Sequence, residues 1–581
     1  MGLGKTIRYA HGAAKKASGK MYLLFLFLSL MGVFQTYIHL ASSEEVIDSV
    51  TLLFEGRTTF SDTVRTILFY GGLTIFSVLL SLGKDKVTLR FHYDLSRYLK
   101  GQLNDKLSGM KMEYFETHES MVKIHDVKTR MKEVFQSYVQ SIADYVSTVP
   151  LLVVYGFYLS RINPYYVLAY GVLFVVFNML LSRSFRGIRS IWGEVQKYDQ
   201  KQQYYFNLCG DKNSHQEYKA NRLYDYFSRI WEKAFDSAYG KRLQVSRRFE
   251  VRLQLSRLVF NVPYIVMLIL VALEVYDGKL SIGFLIMTNS LLNCILDTYG
   301  QIQNDILENR TNSRTVENYC DILNYEEYGE TREACVKGEI AIRIPGYRYP
   351  QSNNVALRDV SLTLKENEKL MIVGMNGSGK TTFVNLLTSL LSDPSVTIRV
   401  NGEEGGLGNS VACIFQDFFH YQMSVKENIA MGDRSRELPD EEVWDLLEDV
   451  GLKERVKKLK HGLDTNLGQL DQEGDFSKGE WQRIAIARLL ARKDARIWIL
   501  DEPTAYLDPL SEIELYKMIY RLAGDRTVIF ISHRLGFARW TERILVFENG
   551  RIAEQGSHEE LMEKGGLYRQ MYALQQEWYE T

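Results

Sequence analysis

The stretch GMNGSGKTT, from Gly374 to Thr382, follows the apolar run KLMIV and precedes the helical pattern FVNLL. Within it, Gly374, Gly379, Lys380 and Thr381 satisfy G-x-x-x-x-G-K-[ST] in a strand, loop and helix context. Glycines let a backbone curl until its N–H groups point inward, and a helix N-terminus adds partial positive charge, so such a loop suits phosphate. Lys380 reaches the terminal phosphates, and Thr381 offers a hydroxyl to magnesium. Farther on, the apolar run Ile497 to Leu500 ends in the acidic pair Asp501-Glu502. Asp501 is placed to hold the magnesium shell, and Glu502 to polarise a water for attack on a γ-phosphate. RTVIFISH makes another strand, ending at Ser532-His533, and RILVFENGRIAEQG reads as two strands joined by an Asn549-Gly550 turn. Taken singly, a buried acid or a strand-end histidine is more often structural. Their order behind a phosphate loop reverses that expectation.

These groups need a sheet to hold them. From about Glu339 the chain alternates short apolar runs with helices, the pattern of an open α/β sheet. The first half differs. Six apolar stretches approach the length of about 20 residues that crosses a bilayer. They are Met21–Ala41, Arg65–Leu82, Ile142–Leu159, Pro164–Leu181, Leu258–Leu273 and Leu280–Leu296. The leader GKTIRYAHGAAKKASGK is basic and belongs in the cytosol, whereas SSEEVIDSVTLLFEG after the first span is acid-rich and belongs outside. The connections after spans two and four are long and carry charges at helical spacing, so they read as membrane helices continuing into the cytosol. Short helices around Glu113–Ile124 and Asp211–Tyr224 should dock near Gln416 to Tyr421. In span six Asn289, Asn293 and Asp297 share one helix face. This stripe bonds a neighbouring helix or lines a cavity. A net charge of −1 gives no field for nucleic acid. The five cysteines have no metal-ligand spacing and read as free thiols.

With these residues in view, the chain resembles an ATP-binding cassette (ABC) exporter half-transporter. The resemblance implies a six-helix membrane domain with cytosolic extensions, residues 1–325, fused to an α/β P-loop nucleotide-binding domain, residues 326–581. It implies ATP and Mg2+ as the bound species. Tyr349 matches the aromatic that stacks on adenine. Gly374, Asn376, Gly377, Ser378, Gly379, Lys380, Thr381 and Thr382 form the Walker A loop. Gln416 matches the loop residue that senses magnesium, which Thr381 and Asp501 would also hold. FSKGE, with Ser477, Lys478 and Gly479, lies at the signature loop, Asp508 at the D-loop, Glu502 at the catalytic glutamate and His533 at the switch histidine. In such proteins two halves sandwich each ATP between the Walker A loop of one and the signature loop of the other. A further resemblance, to bacterial peptide and lantibiotic exporters, rests on GEWQR, QDFFHYQMSVKENI and HQEYKANRLYDYF. The start close to the first span leaves no room for the N-terminal cysteine protease that some peptide exporters carry.

The signature departs from its pattern at one position. Lys478 stands where glycine is expected, adding a side chain and losing access to positive φ. Ser477 and Glu480 still form the S-x-x-E of a capping box. The resemblance implies a second half-transporter as partner, and Lys478 leaves open a homodimer with two working sites or a heterodimer with one weak site. The expected activity is ATP-driven export of a peptide or amphipathic solute across the plasma membrane, with the N-terminus and nucleotide domain in the cytosol. The alternatives are a lipid or multidrug exporter, and an ATP-gated regulator that pumps nothing.

Overall fold

The computed structural model describes residues 3–162, 164–184, 198–199, 201–208, 212–329, 338–350, 352–468, 476–503 and 509–580. The chain divides into two compact units, Met1–Gly109 with Glu119–Tyr325, and Met110–His118 with Glu326–Thr581.

The first unit is helical. Five of the proposed spans lie within single helices, Leu3–Phe54, Phe60–Gly109, His118–Ile162, Pro164–Ser184 and Tyr224–Tyr276, and the sixth, Leu280–Leu296, begins two residues before the helix Ile282–Leu323. Among the described residues, three helices are long and apolar enough to cross a membrane: Gly4–Phe54, Phe60–Gly109 and His118–Arg161. Their apolar side chains face outward, as at Leu68, Leu79 and Val153. A bilayer solvates such a surface and water does not. The first helix kinks at Ser18, where φ is −163° and ψ 80°, separating the basic leader from the apolar run.

Beyond the apolar runs the helices continue, and their burial turns inward. Phe91, Leu95, Leu99 and Leu103 recur every four residues and are buried, along with Val127, Met131 and Phe135, and Val316, Tyr319 and Ile322. This is one apolar stripe per helix in an otherwise charged sequence. The rings of Phe135 and Tyr319 meet edge-on at 5.3 Å. The second short helix expected from the sequence forms at Lys212–Ala220, with Tyr218 stacked on Phe227.

The second unit carries two sheets. The four-stranded sheet has the order β2-β1-β4-β5, built from β1 Ile340–Tyr347, β2 Leu357–Leu364, β4 Thr397–Val400 and β5 Glu403–Glu404. The six-stranded sheet has the order β10-β9-β3-β8-β7-β6. Its strands are β3 Lys369–Gly374, β6 Val411–Ile414, β7 Ile497–Asp501, β8 Thr527–Ile531, β9 Arg543–Glu548 and β10 Arg551–Gly556. β6, β7, β8, β3 and β9 are mutually parallel, and β10 returns antiparallel to β9. β3, β7 and β8 are buried at every residue, as parallel strands covered on both faces must be. Asn549 and Gly550, at φ +49° and +79°, make the hairpin turn between β9 and β10.

The short helix Glu113–Glu116 belongs to this second unit. The Tyr328 hydroxyl accepts from the Met112 amide and donates to the Leu390 carbonyl, and the Ser392 amide donates to Glu113 at 3.3 Å. The helix is thus seated at Tyr328, Leu390 and Ser392, not at the expected stretch Gln416 to Tyr421. The polar pairs that hold it lie on the four-stranded side of the unit, and local sequence spacing carries no trace of them.

Candidate functional site

The site stands at the carboxyl ends of three adjacent strands. Ile372 of β3 pairs with Ile531 of β8, and Asp501 of β7 pairs with the same Ile531. The loop after β3, the acids at the end of β7 and the histidine after β8 therefore share one edge, where parallel α/β sheets bind ligands.

The loop from Gly374 to Gly379 leads into the helix Lys380–Leu387. Gly379 caps it at φ +105°, and a Cβ there would lie 2.7 Å from Leu357 Cδ2 and 3.0 Å from the Ala356 carbonyl. Glycine is required on both counts. A Cβ on Gly374 would meet the Phe547 carbonyl at 2.4 Å. Lys380 is buried, and its ammonium donates to the carbonyls of Gly374 at 2.8 Å and Met375 at 3.1 Å. Burial lowers its pKa, opposed by the charges of Glu502 and Asp501. The Ser378 hydroxyl is buried without a hydrogen-bond partner, a polar atom left for a ligand in this cradle. Tyr349 and Thr382 share a hydrogen bond at 3.1 Å, so the aromatic lies beside the start of the helix.

Asp501 is 3% exposed, and burial, then the charge of Glu502, pushes its carboxyl up to about 6. Thr381 and Lys380 act in the opposite direction, Thr381 by a hydrogen bond. Two adjacent acids with one nearby ammonium form a site whose electrostatics favour a further cation. Glu502 adopts φ +47°, unusual for a residue with a side chain. Its amide donates to the Ile531 carbonyl at 2.9 Å, and its carboxylate meets His533 Nδ1 at 3.0 Å. That hydrogen bond is the largest cause holding the Glu502 carboxyl below its ordinary range. Gln575 fixes the histidine from behind: its amide donates to the His533 carbonyl at 2.6 Å and accepts from Leu535 N–H at 2.8 Å. Gln575 sits in the C-terminal helix and carries no motif that sequence reasoning could have used. Gln416 is exposed just beyond β6.

The signature residues form a separate group. Ser477 caps the helix Lys478–Ala491 with the reciprocal Ser477–Glu480 capping box. Glu480 also takes a hydrogen bond from Arg455 at 3.0 Å. Lys478, the first helical residue, is exposed and is not among the described residues with positive φ. The expected penalty of losing glycine's positive φ therefore does not arise, because helix entry at this position uses ordinary dihedrals. What remains is the added side chain. The described contacts of Ser477, Glu480 and Phe476 run to Arg455 and Trp481 and not to Lys380. Asp508 lies outside the described residues.

The aromatic stretch after Gln416 packs on this same helix. The His420 ring stacks on Trp481 at 4.4 Å with planes 6° apart. Arg488 lies 4.8 Å from the Tyr421 ring centre and donates to the carbonyls of Phe419 and Asn428. QDFFHYQMSVKENI and GEWQR are thus two sides of one contact.

Comparison with known proteins agrees with this arrangement. Residues 357–505 match the family described as ABC transporter. The chain is 27% identical to the nisin transport ATP-binding protein NisT of Lactococcus lactis subsp. lactis, over 95% of this chain and 93% of that protein. It is 26% identical to the subtilin transport ATP-binding protein SpaT of Bacillus subtilis, over 95% and 91%. Among solved structures, it is similar in fold to a bacterial Atm1-family ABC exporter with ATP bound. The TM-score is 0.75 and the identity 20%, over 96% of this chain and 98% of that one.

Proposed function

We propose that this chain, a membrane protein of the ATP-binding cassette family with the exporter fold, is one half of a dimeric pump. It hydrolyses ATP to move a peptide or other amphipathic solute out of the cytosol. The carrying observation is the pairing of Glu502 with His533 at 3.0 Å on the sheet edge that holds Lys380 and Asp501. A sensor that only binds ATP has no use for a water-polarising acid held by a histidine. Two relatives of nearly the chain's length are named as transport proteins for nisin and subtilin, which supports a peptide substrate.

In this reading the loop from Gly374 to Thr382, Asn376 and Gly377 included, cradles the phosphates, and Tyr349 stacks on the base. Lys380 exchanges its two carbonyl partners for phosphate oxygens. Thr381, Asp501 and Gln416 would hold Mg2+, which neutralises phosphate charge when bound. Glu502 orients the attacking water and takes its proton. His533 holds Glu502 ionised and oriented. Ser477, Lys478, Gly479 and Asp508 serve the partner's nucleotide across the dimer. The six helices span the plasma membrane, with the N-terminus and residues 326–581 in the cytosol.

The test is reconstitution of the full chain in proteoliposomes, following uptake of a fluorescein-labelled amphipathic peptide. ATP-dependent uptake that disappears in Glu502→Gln is the expected result. Tight ATP binding with neither turnover nor uptake in the wild type would leave the regulator reading in place.

A further inference from the structure

The helical unit contains a cavity of about 680 Å³ that none of the nucleotide chemistry uses. Its walls come from helices His118–Ile162, Tyr224–Tyr276 and Ile282–Leu323. Asp144, Asp297 and Asp305 line it, with amides that include Gln301, Gln303 and Asn304. No lysine or arginine is among the described lining residues.

Carboxylates alone do not make a site, since solvent can balance them. The second observation is Gln303. It is 1% exposed and lines the cavity, yet neither its amide nitrogen nor its amide oxygen has a hydrogen-bond partner. Asp305, 9% exposed, has one carboxylate oxygen, Oδ2, in the same condition. A buried polar atom without a partner is costly, so native folds rarely leave several together. Burial first, and the charge of Asp144 second, push Asp305 up to about 7. An entering cation would offset the charge of Asp144 and supply a donor for the free carboxylate and amide oxygens.

The polar face seen in the sequence divides here. Asn289 accepts a 2.7 Å hydrogen bond from Tyr264 of the neighbouring helix, the plain structural role. Asp297, two turns along the same helix, lines the cavity instead.

We infer that this cavity binds the ammonium or guanidinium groups of the transported solute, with Asp297, Asp305 and Gln303 as the binding residues. What enters the cavity rests on the export reading. A volume in the range of small-ligand pockets, 300–1,000 Å³, accommodates a few side chains of a peptide and not the whole of it.

The probes are an amphipathic peptide carrying lysines and the same peptide with every lysine acetylated. Binding is measured by fluorescence anisotropy to the full chain in nanodiscs without nucleotide. The lysine peptide should bind about tenfold more tightly or better, the scale of one charged hydrogen bond. Asp297→Asn with Asp305→Asn should remove most of that preference while leaving the Kd of the acetylated peptide unchanged. Gln303→Leu should weaken the lysine peptide alone. Equal affinities in the wild type, or a preference that survives the double variant, would overturn the inference and leave a water-filled cavity. Charge preference without ATP-driven uptake would sink the pump reading and keep this one. Uptake without charge preference would do the reverse.

Discussion

His533 Nδ1 lies 3.0 Å from Glu502 Oε1, and this contact joins the ends of two adjacent strands at the candidate site. Glu502 sits at φ +47° with its amide tied to β8, so backbone and side chain are held together. Strain of this kind is worth about 1–3 kcal/mol and persists where surrounding structure over-determines it. Glu502→Gln should keep nucleotide binding and lower turnover by about 10²–10⁴-fold, the usual contribution of a positioned base. Single-turnover hydrolysis with a parallel binding measurement checks it; turnover within a few-fold of wild type would refute the role.

The same contact sets a pH dependence. Glu502 titrates below its ordinary value, and the largest cause is the hydrogen bond from His533. A depressed carboxyl stays ionised at higher pH and loses its charge as pH falls through the lowered value. His533→Ala removes that cause. The acid limb of the residual pH–rate profile should therefore move to higher pH as turnover falls. A limb that stays in place would show that the histidine does not control the charge of Glu502.

Lys380→Ala should weaken binding of an ATP analogue by roughly 10- to 150-fold, the scale of a charge-assisted hydrogen bond lost from a buried site. The side chain already bridges two loop carbonyls at 2.8 and 3.1 Å, so the loop should also become more open to protease. Calorimetric titration and limited proteolysis give independent readings. An unchanged affinity would exclude Lys380 as a phosphate ligand.

At Lys478 the helical backbone removes positive φ as a reason for glycine and leaves the added side chain as the candidate obstruction. If it obstructs closure around the partner's nucleotide, overpacking of about 1–3 kcal/mol corresponds to a shift of roughly 5- to 150-fold. Lys478→Gly should raise ATPase per dimer, most in a homodimer. Lys478→Ala should do so as well, without the cost of about 1 kcal/mol that glycine brings to a helix. A clear loss of ATPase in both, with the dimer intact, would make the ammonium a phosphate ligand.

The Glu113–Glu116 helix gives a prediction by cross-linking. Cysteines at Glu113 and Ser392 should be joined readily by a short bifunctional thiol reagent, since the native side chain and amide are 3.3 Å apart. Cysteines at Glu113 and Phe419 should not. The reverse result would restore the docking position expected from the sequence.

The phosphate loop, the Asp501-Glu502 strand end, the Ser477–Glu480 capping box and the Asn549-Gly550 hairpin were all legible in the sequence. Each rests on residues within a few positions of one another, where chain geometry leaves few conformations and composition selects among them. The apolar runs identified the helices of the first unit for a similar reason: burial or lipid contact repeats along each helix.

Other relations belong to the tertiary structure alone. His533 reaches Glu502 across 31 positions, Tyr349 reaches Thr382 across 33, and Glu113 meets Ser392 across 279. No local spacing encodes such pairs, because they depend on which strands become neighbours. The unpartnered Gln303 amide was decided by three helices closing around one cavity. The sequence by itself determined which chemical groups the chain carries and which local elements hold them. Packing determined which groups meet, because a contact between distant residues forms only when the intervening elements are assembled.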